Sequence, residues 1–194
     1  MSNSNTSLTA KTETAESSES IGYLELGDSY RIEVLRVATG RDMLNAQRAS
    51  KTGEPDMAAL LAPLLRVNGE SVSPESIAEW DVGVVQAIQE VIMEEVTITP
   101  DETNSDLKYP KVYHFPHGHT ATLTESRKQK HDTEAQRLAG KDQQAIAYWI
   151  VSKLILWDGE KLRFDDLLDL PMGMVLGLIE LIIPKKPQFI RAKR

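Results

Sequence analysis

Four imidazoles, the side chains best suited to binding zinc or nickel or to moving a proton near neutral pH, sit in one short window: His114, His117, His119 and His131. His114 and His119 flank Pro116-His117-Gly118, a turn signal, so they could converge from opposite sides of a hairpin. Asp132 or Glu134 could then supply a fourth ligand. Against this stand three points. No HExxH or comparable helical ligand spacing occurs. Strand alternation sends His114 to the face opposite Tyr113 and Phe115. Histidines around a Pro-Gly turn are also ordinary polar loop residues. The expectation is that no metal is held, with a His-metal hydrolase kept as the reading from the enzyme class.

Other chemistry finds less support. Acyl transfer lacks both a GxSxG elbow and a cysteine nucleophile, and neither GxxxxGK[ST] nor GxGxxG is present to cradle phosphate. The carboxylate pairs Asp165-Asp166 and Glu94-Glu95 fall near expected helix ends, where a cap and a solvated terminus explain them. Trp80, Trp149 and Trp157 read as core or interface anchors rather than as a base-stacking platform. No catalytic residue and no cofactor are expected.

The elements that would position these side chains follow from composition and pattern. A chain of 194 residues with 41% apolar content can bury a sizeable core. A net charge of −7 and a pI near 5.2 argue against a general nucleic-acid binder, which needs a basic face. The absence of cysteine rules out disulfides and thiolate sites and fits a reducing compartment. The N-terminus has neither a basic start nor an apolar run, so it reads as no signal peptide. The longest apolar stretch, Leu167 to Ile183, carries Asp169, Pro171 and Glu180, too short and charged for a span, so a soluble protein is expected.

The chain also repeats itself. Ala46 to Met93 and Ala135 to Ile183 follow one plan about 90 residues apart. Ala46-Gln47-Arg48 matches Ala135-Gln136-Arg137, Gly69-Glu70 matches Gly159-Glu160, and Gly83 matches Gly173. Val85, Glu90 and Ile92 match Val175, Glu180 and Ile182. The expected organisation is a disordered tail over 1–20, a first repeat over 21–96, a linker over 97–111, a second repeat over 112–183 and a basic tail over 184–194. The basic tail suits an acidic partner or nucleic acid, or is simply a solvated end.

Within the repeats, Gly27-Asp28 is expected to turn a first hairpin, and Asn68-Gly69 and Asp158-Gly159 two more. Thr39 to Asp42 offers a capping box, Pro55 a first-turn proline, and Ser73-Pro74 and Asp81 helix starts. Pro63 should end the helix before it, Asp165 or Asp166 should cap a short helix, and Pro171 should begin the last one. Val85, Ile88 and Ile92, and Val175, Leu178, Ile179 and Ile182, fall on helical faces that are core or partner-facing, as does Trp149 on the helix through Ala145 to Leu154. The last helix is apolar nearly all round and needs cover on more than one side. The fold class expected is α+β, mainly α-helical, in two tandem repeats, each with short β-hairpins and three to four helices.

Taken together, Leu35 to Arg48 (LRVATGRDMLNAQR) and the runs Arg66 to Met93 and Leu156 to Ile183 resemble the tail assembly chaperones of Mu-like and related long-tailed bacteriophages, here in apparently duplicated form. The resemblance implies a non-enzymatic protein of the host cytoplasm that binds the tape measure protein, and with it the tail tube protein, during tail assembly. A homo-oligomer is compatible with it, a membrane role is not. The alternative is a structural component of a phage tail or baseplate.

Overall fold

A computed structural model of the chain describes residues 20–184 apart from 27–29, 51, 53, 95, 106 and 107. Among these residues the fold is α+β, with eight α-helices and two antiparallel sheets. The first sheet places β1 (Gly22–Leu26), β2 (Tyr30–Val34), β3 (Leu65–Val67) and β4 (Glu70–Ser71) side by side in chain order. Helices α1 (Gly40–Ala49) and α2 (Met57–Leu61) lie between β2 and β3, and α3 (Pro74–Ala78) and α4 (Val82–Met93) follow β4. The second sheet runs β5 (Thr99–Pro100), β6 (Lys111–His114), β7 (Thr120–Leu123), β8 (Ile155–Trp157), β9 (Glu160–Lys161). Here α5 (Gln129–Ala139) and α6 (Gln143–Leu154) separate β7 from β8, and α7 (Phe164–Asp169) and α8 (Met172–Leu181) follow β9.

Both short hairpins turn on residues with positive φ at both central positions, Asn68 (50°) with Gly69 (84°) and Asp158 (50°) with Gly159 (82°). That geometry matches the twist of the flanking strands, and Asn, Asp and Gly accept it at least cost. Each turn is clamped to the preceding strand in the same way. The Arg31 N–H donates to Asn68 Oδ1 (2.8 Å) and the Thr120 N–H to Asp158 Oδ1 (2.8 Å). The Asn68 and Asp158 N–H groups return bonds to the Arg31 and Thr120 carbonyls, both at 2.8 Å.

Helix starts follow local side-chain chemistry. Ser73 accepts from Ser76 N–H with Pro74 in the first turn, and Asp81 accepts from Gly83 N–H. Asp42 accepts from the Thr39 N–H (2.8 Å) and takes a bidentate contact from Arg36 (2.6 and 2.9 Å). Burial alone would push its carboxyl up, yet these bonds outweigh it and hold it below the usual range. Pro63 ends α2 by converting the chain to a 3-10 turn over Ala62–Leu64. Three expectations are corrected. Pro55 precedes the cap of α2, which is Asp56. Arg163, not Asp165 or Asp166, occupies the cap position of α7, because the Asp166 carboxylate reaches back to the Arg163 N–H (2.8 Å). The segment read as a linker, 97–111, contributes β5, and beyond it Asn104 brackets Val112, accepting from its N–H (2.7 Å) and donating to its carbonyl (2.5 Å). The expected Gly27-Asp28 turn, the tail through residue 19 and the basic residues from 185 onward lie outside the described residues.

The two halves interlock through α1, which packs against α6, α7 and α8. The Tyr148 O–H on α6 donates to the Gly40 carbonyl (3.0 Å), and Gly40 N–H donates to the Leu170 carbonyl (3.1 Å). The Met172 N–H reaches the Ala38 carbonyl (2.7 Å), and Gln47 accepts from the Gln144 N–H (2.9 Å). Arg41–Asp169 (2.8 Å) and Arg48–Asp142 (3.2 Å) are exposed or half-exposed ion pairs along the same seam and add little energy. A single apolar core results, running from Ile32 and Leu44 through Ile88 and Ile92 to Tyr148, Leu167 and Val175. Among the described residues no helix is long and apolar enough to cross a membrane.

Candidate docking surface and the histidine window

Helix α8 carries almost no charge, and its burial shows where cover was found and where it was not. Met172, Gly173, Met174, Val175, Gly177 and Leu178 are buried. A Cβ on Gly173 would collide with the Glu94 carbonyl oxygen and stand 2.9 Å from Val96 Cγ2; one on Gly177 would stand 2.6 Å from Ile98 Cδ1. The two glycines therefore let the end of α4 and the strand-entry residues lie directly on the α8 backbone. Leu176, between these two glycines on α8, is 42% exposed. Between α4 and α8 remains a hollow of about 590 Å³ floored by Met93, Val96 and Leu176, with Glu90, Glu94 and Glu180 exposed around it. Among the described residues no basic side chain lines it. An apolar floor inside a ring of carboxylates is suited to an amphipathic segment carrying Lys or Arg beside its apolar residues.

The histidines do not converge. His114 Nε2 is 2.9 Å from Asp101 Oδ2, and His119 Nδ1 is 2.7 Å from Asp158 Oδ2 while its ring stacks on Trp157 at 5.1 Å. His131 is buried and accepts from the Lys128 N–H at the start of α5 (3.1 Å), and His117 is exposed at φ 60° in the turn. The two carboxylates weighed as a fourth ligand are held by cations, Asp132 by Arg127 (2.6 Å) and Glu134 by Lys153 (2.9 Å). Among the described residues no group of three or more His, Asp or Glu side chains could hold a metal ion. Hydrogen bonds from the Thr103 hydroxyl and N–H, then from His114, hold the Asp101 carboxyl down at about 2. These are structural pairings of an Asp-His kind, each fastening a turn.

The Asp158 clamp yields a prediction. Asp158→Asn keeps the acceptor and the tolerance of positive φ that Asn68 already shows at the equivalent turn position, so it should leave stability nearly unchanged at neutral pH. Asp158→Ala loses both and should cost about 2 kcal/mol. Urea unfolding of the two variants checks this; equal midpoints would show that the clamp is idle.

Of the residues expected on core or partner-facing surfaces, Ile88, Ile92, Val175, Leu178 and Ile182 are buried and structural. Val85, Trp149 and Ile179 are half-buried against the same core, Trp149 lying 4.9 Å from the Phe164 ring. Trp80 and Trp157 likewise pack on the core. Open apolar residues include Val82 (70%), Val91 (46%), Leu176 (42%) and Ile183 (59%), none of them among the partner-facing candidates, and Val91 lies outside the buried face on which its spacing with Ile88 and Ile92 would put it. Helical periodicity alone cannot expose Leu176, because the whole helix is apolar. Glu90 and Glu180, matched across the two halves of the sequence, were the available pointer to the rim. Comparison of the chain with protein-family models, with curated proteins and with solved structures finds no match.

Proposed function

We propose that the protein is a non-enzymatic assembly chaperone of the kind long-tailed bacteriophages use, acting in the host cytoplasm to hold the tape measure protein, and with it tail tube protein, until the tail is built. The observation that carries this reading is the open groove between α4 and α8, an apolar floor left in water on a strongly acidic protein. Covering an exposed leucine contributes on the order of 1 kcal/mol. Leu176, with the half-buried Met93 and Val96 beside it, makes a small floor that holds a client helix while leaving it releasable. The rim of glutamates favours clients with Lys or Arg flanking their apolar stripe and keeps copies of the acidic chaperone apart.

We further propose that the chain is an internal duplication, with β5 an addition to the second copy. Support comes from the identical succession of hairpin, two helices, hairpin and two helices in the two halves. It comes also from the matching clamps at Asn68 and Asp158, made by different residues with the same bonds. Chain-closing bonds correspond as well, from Leu35 N–H to the Leu64 carbonyl and from Thr124 N–H to the Leu154 carbonyl, both 2.9 Å.

Co-expression with the phage's tape measure protein and capture from soluble lysate tests the function. Leu176→Asp lies on the exposed floor and should leave the fold intact while reducing captured tape measure protein roughly tenfold, the factor that about 1.4 kcal/mol commands. Ile179→Asp is expected to impair folding or client binding, since Ile179 is half-buried against the core. A tape measure protein equally soluble without this chain, and not captured by it, would turn the reading toward a component retained in the virion.

A further inference from the structure

We propose that residues 185–194 of this same chain dock in the acidic groove between α4 and α8. Their sequence, KKPQFIRAKR, sets Lys185, Lys186, Arg191, Lys193 and Arg194 around the apolar pair Phe189-Ile190. These residues lie outside those the structure describes; their sequence defines their chemistry. It is the complement of the groove, in which Glu90, Glu94 and Glu180 surround Met93, Val96 and Leu176.

Position and reach agree with charge. The chain leaves the described fold at Pro184, just past Ile183. Ile183 lines a hollow of about 290 Å³ that shares Val96 and Glu180 with the groove, so the two adjoin. A second hollow also opens at this exit, about 450 Å³ and lined by Tyr109, Lys111, Arg127 and Pro184. Its described ionisable groups are phenols, Lys111 and Arg127, the last already paired with Asp132, so it offers no carboxylate to a segment with five positive charges. Between neighbouring hollows of similar size, charge selects the acidic one. An extended chain spans about 3.3 Å per residue and a helix rises about 1.5 Å, so Phe189 can reach as far back as the whole of α8. A tether this short holds the segment near the groove at an effective concentration in the millimolar range, so a weak contact suffices.

Docking does not depend on which client the protein serves. Its relation to client binding rests on the assembly reading, because the segment and a client would meet the same Leu176 side chain.

The chain has no cysteine, so Ala192→Cys in the full-length protein takes a single nitroxide label. Methyl resonances of Met93, Val96 and Leu176 then report its proximity. At low salt, broadening of these three is expected, unchanged on dilution. It should fade in 1 M salt, where the screening length is only about 3 Å. It should also disappear in Glu90→Lys/Glu94→Lys/Glu180→Lys, with the rest of the methyl spectrum unchanged because these side chains are exposed; the salt series on the otherwise unaltered chain stands if that variant misfolds. No broadening at the groove, or broadening at Leu123 beside the cationic hollow, would overturn the proposal. So would broadening that resists both salt and charge reversal. Broadening of an unlabelled, isotope-enriched chain by added labelled chain would place a second copy's segment in the groove instead. Client capture in the Ala192→Cys background reports separately on the assembly reading.

Discussion

Gly40→Ala is expected to destabilise the protein by about 3 kcal/mol or more, at the upper end of overpacking costs. The added Cβ would collide with the Leu167 carbonyl oxygen and stand 3.1 Å from the Leu167 carbonyl carbon and 3.3 Å from the Tyr148 hydroxyl. Backbone is struck, not the tip of a flexible side chain. Neither side can retreat cheaply, since Gly40 is tied to Leu170 and Tyr148 and its neighbour Thr39 bridges Pro171. Opening the seam would uncover the buried face of α1, with Met43, Leu44 and Ala46. Urea denaturation should show a lower midpoint with little change in slope. Gly22→Ala serves as the control, because its Cβ would meet nothing within 4 Å. A Gly40→Ala midpoint equal to that of the control would mean that α1 does not sit on α7 as described.

Tyr148→Phe should cost about 2 kcal/mol at neutral pH, because a buried hydroxyl loses its bond to the Gly40 carbonyl and leaves that acceptor with one partner fewer. Its clearer signature is alkaline. Burial pushes the Tyr148 phenol from 10.0 up to about 12. The unfolded chain therefore releases this proton near pH 10, while the folded protein keeps it to about pH 12. The native state then holds more protons, so stability falls as pH rises across that window and is undiminished below it. The loss attributable to Tyr148 approaches roughly 2–3 kcal/mol by the upper end. The phenylalanine variant starts lower but lacks this slope, so the two stabilities should draw together between pH 10 and 12. Parallel pH profiles would show that Tyr148 titrates as an exposed phenol does.

Local chemistry was legible in the sequence where a few adjacent residues decide the conformation. Asn68-Gly69 and Asp158-Gly159 demand their turn geometry, Ser73-Pro74 and Asp81 begin helices, and Pro63 ends one. Legibility failed where a distant partner or weak amphipathicity decides. Helix α5 was not anticipated as a separate element: its sequence QKHDTEAQRLA buries only His131 and Ala135, leaving almost no periodic apolar signal. The role of segment 97–111 was hidden because a polar, Pro-bearing stretch looks unpaired until Asn104 is seen substituting for a strand. The histidine window looked like a cluster because closeness in sequence was the only distance available. In space, His114 is taken by Asp101 and His119 by Asp158. Of the groove, the apolar floor was legible in type. The identity of the one exposed face of α8 was not, because glycines at 173 and 177 mark where another backbone lies without naming it.

The bond between Tyr148 and Gly40 joins residues 108 apart. During vectorial synthesis at about 5–20 residues per second, α1 therefore leaves the ribosome roughly 5–20 s before the helices that complete its burial. The first half can cover part of α1 with α2 in that interval, but the face of α1 that meets α6, α7 and α8 waits in water. Maturation of this fold is thus limited by translation of its second half, and an interrupted message would release a chain whose exposed helix marks it for proteolysis.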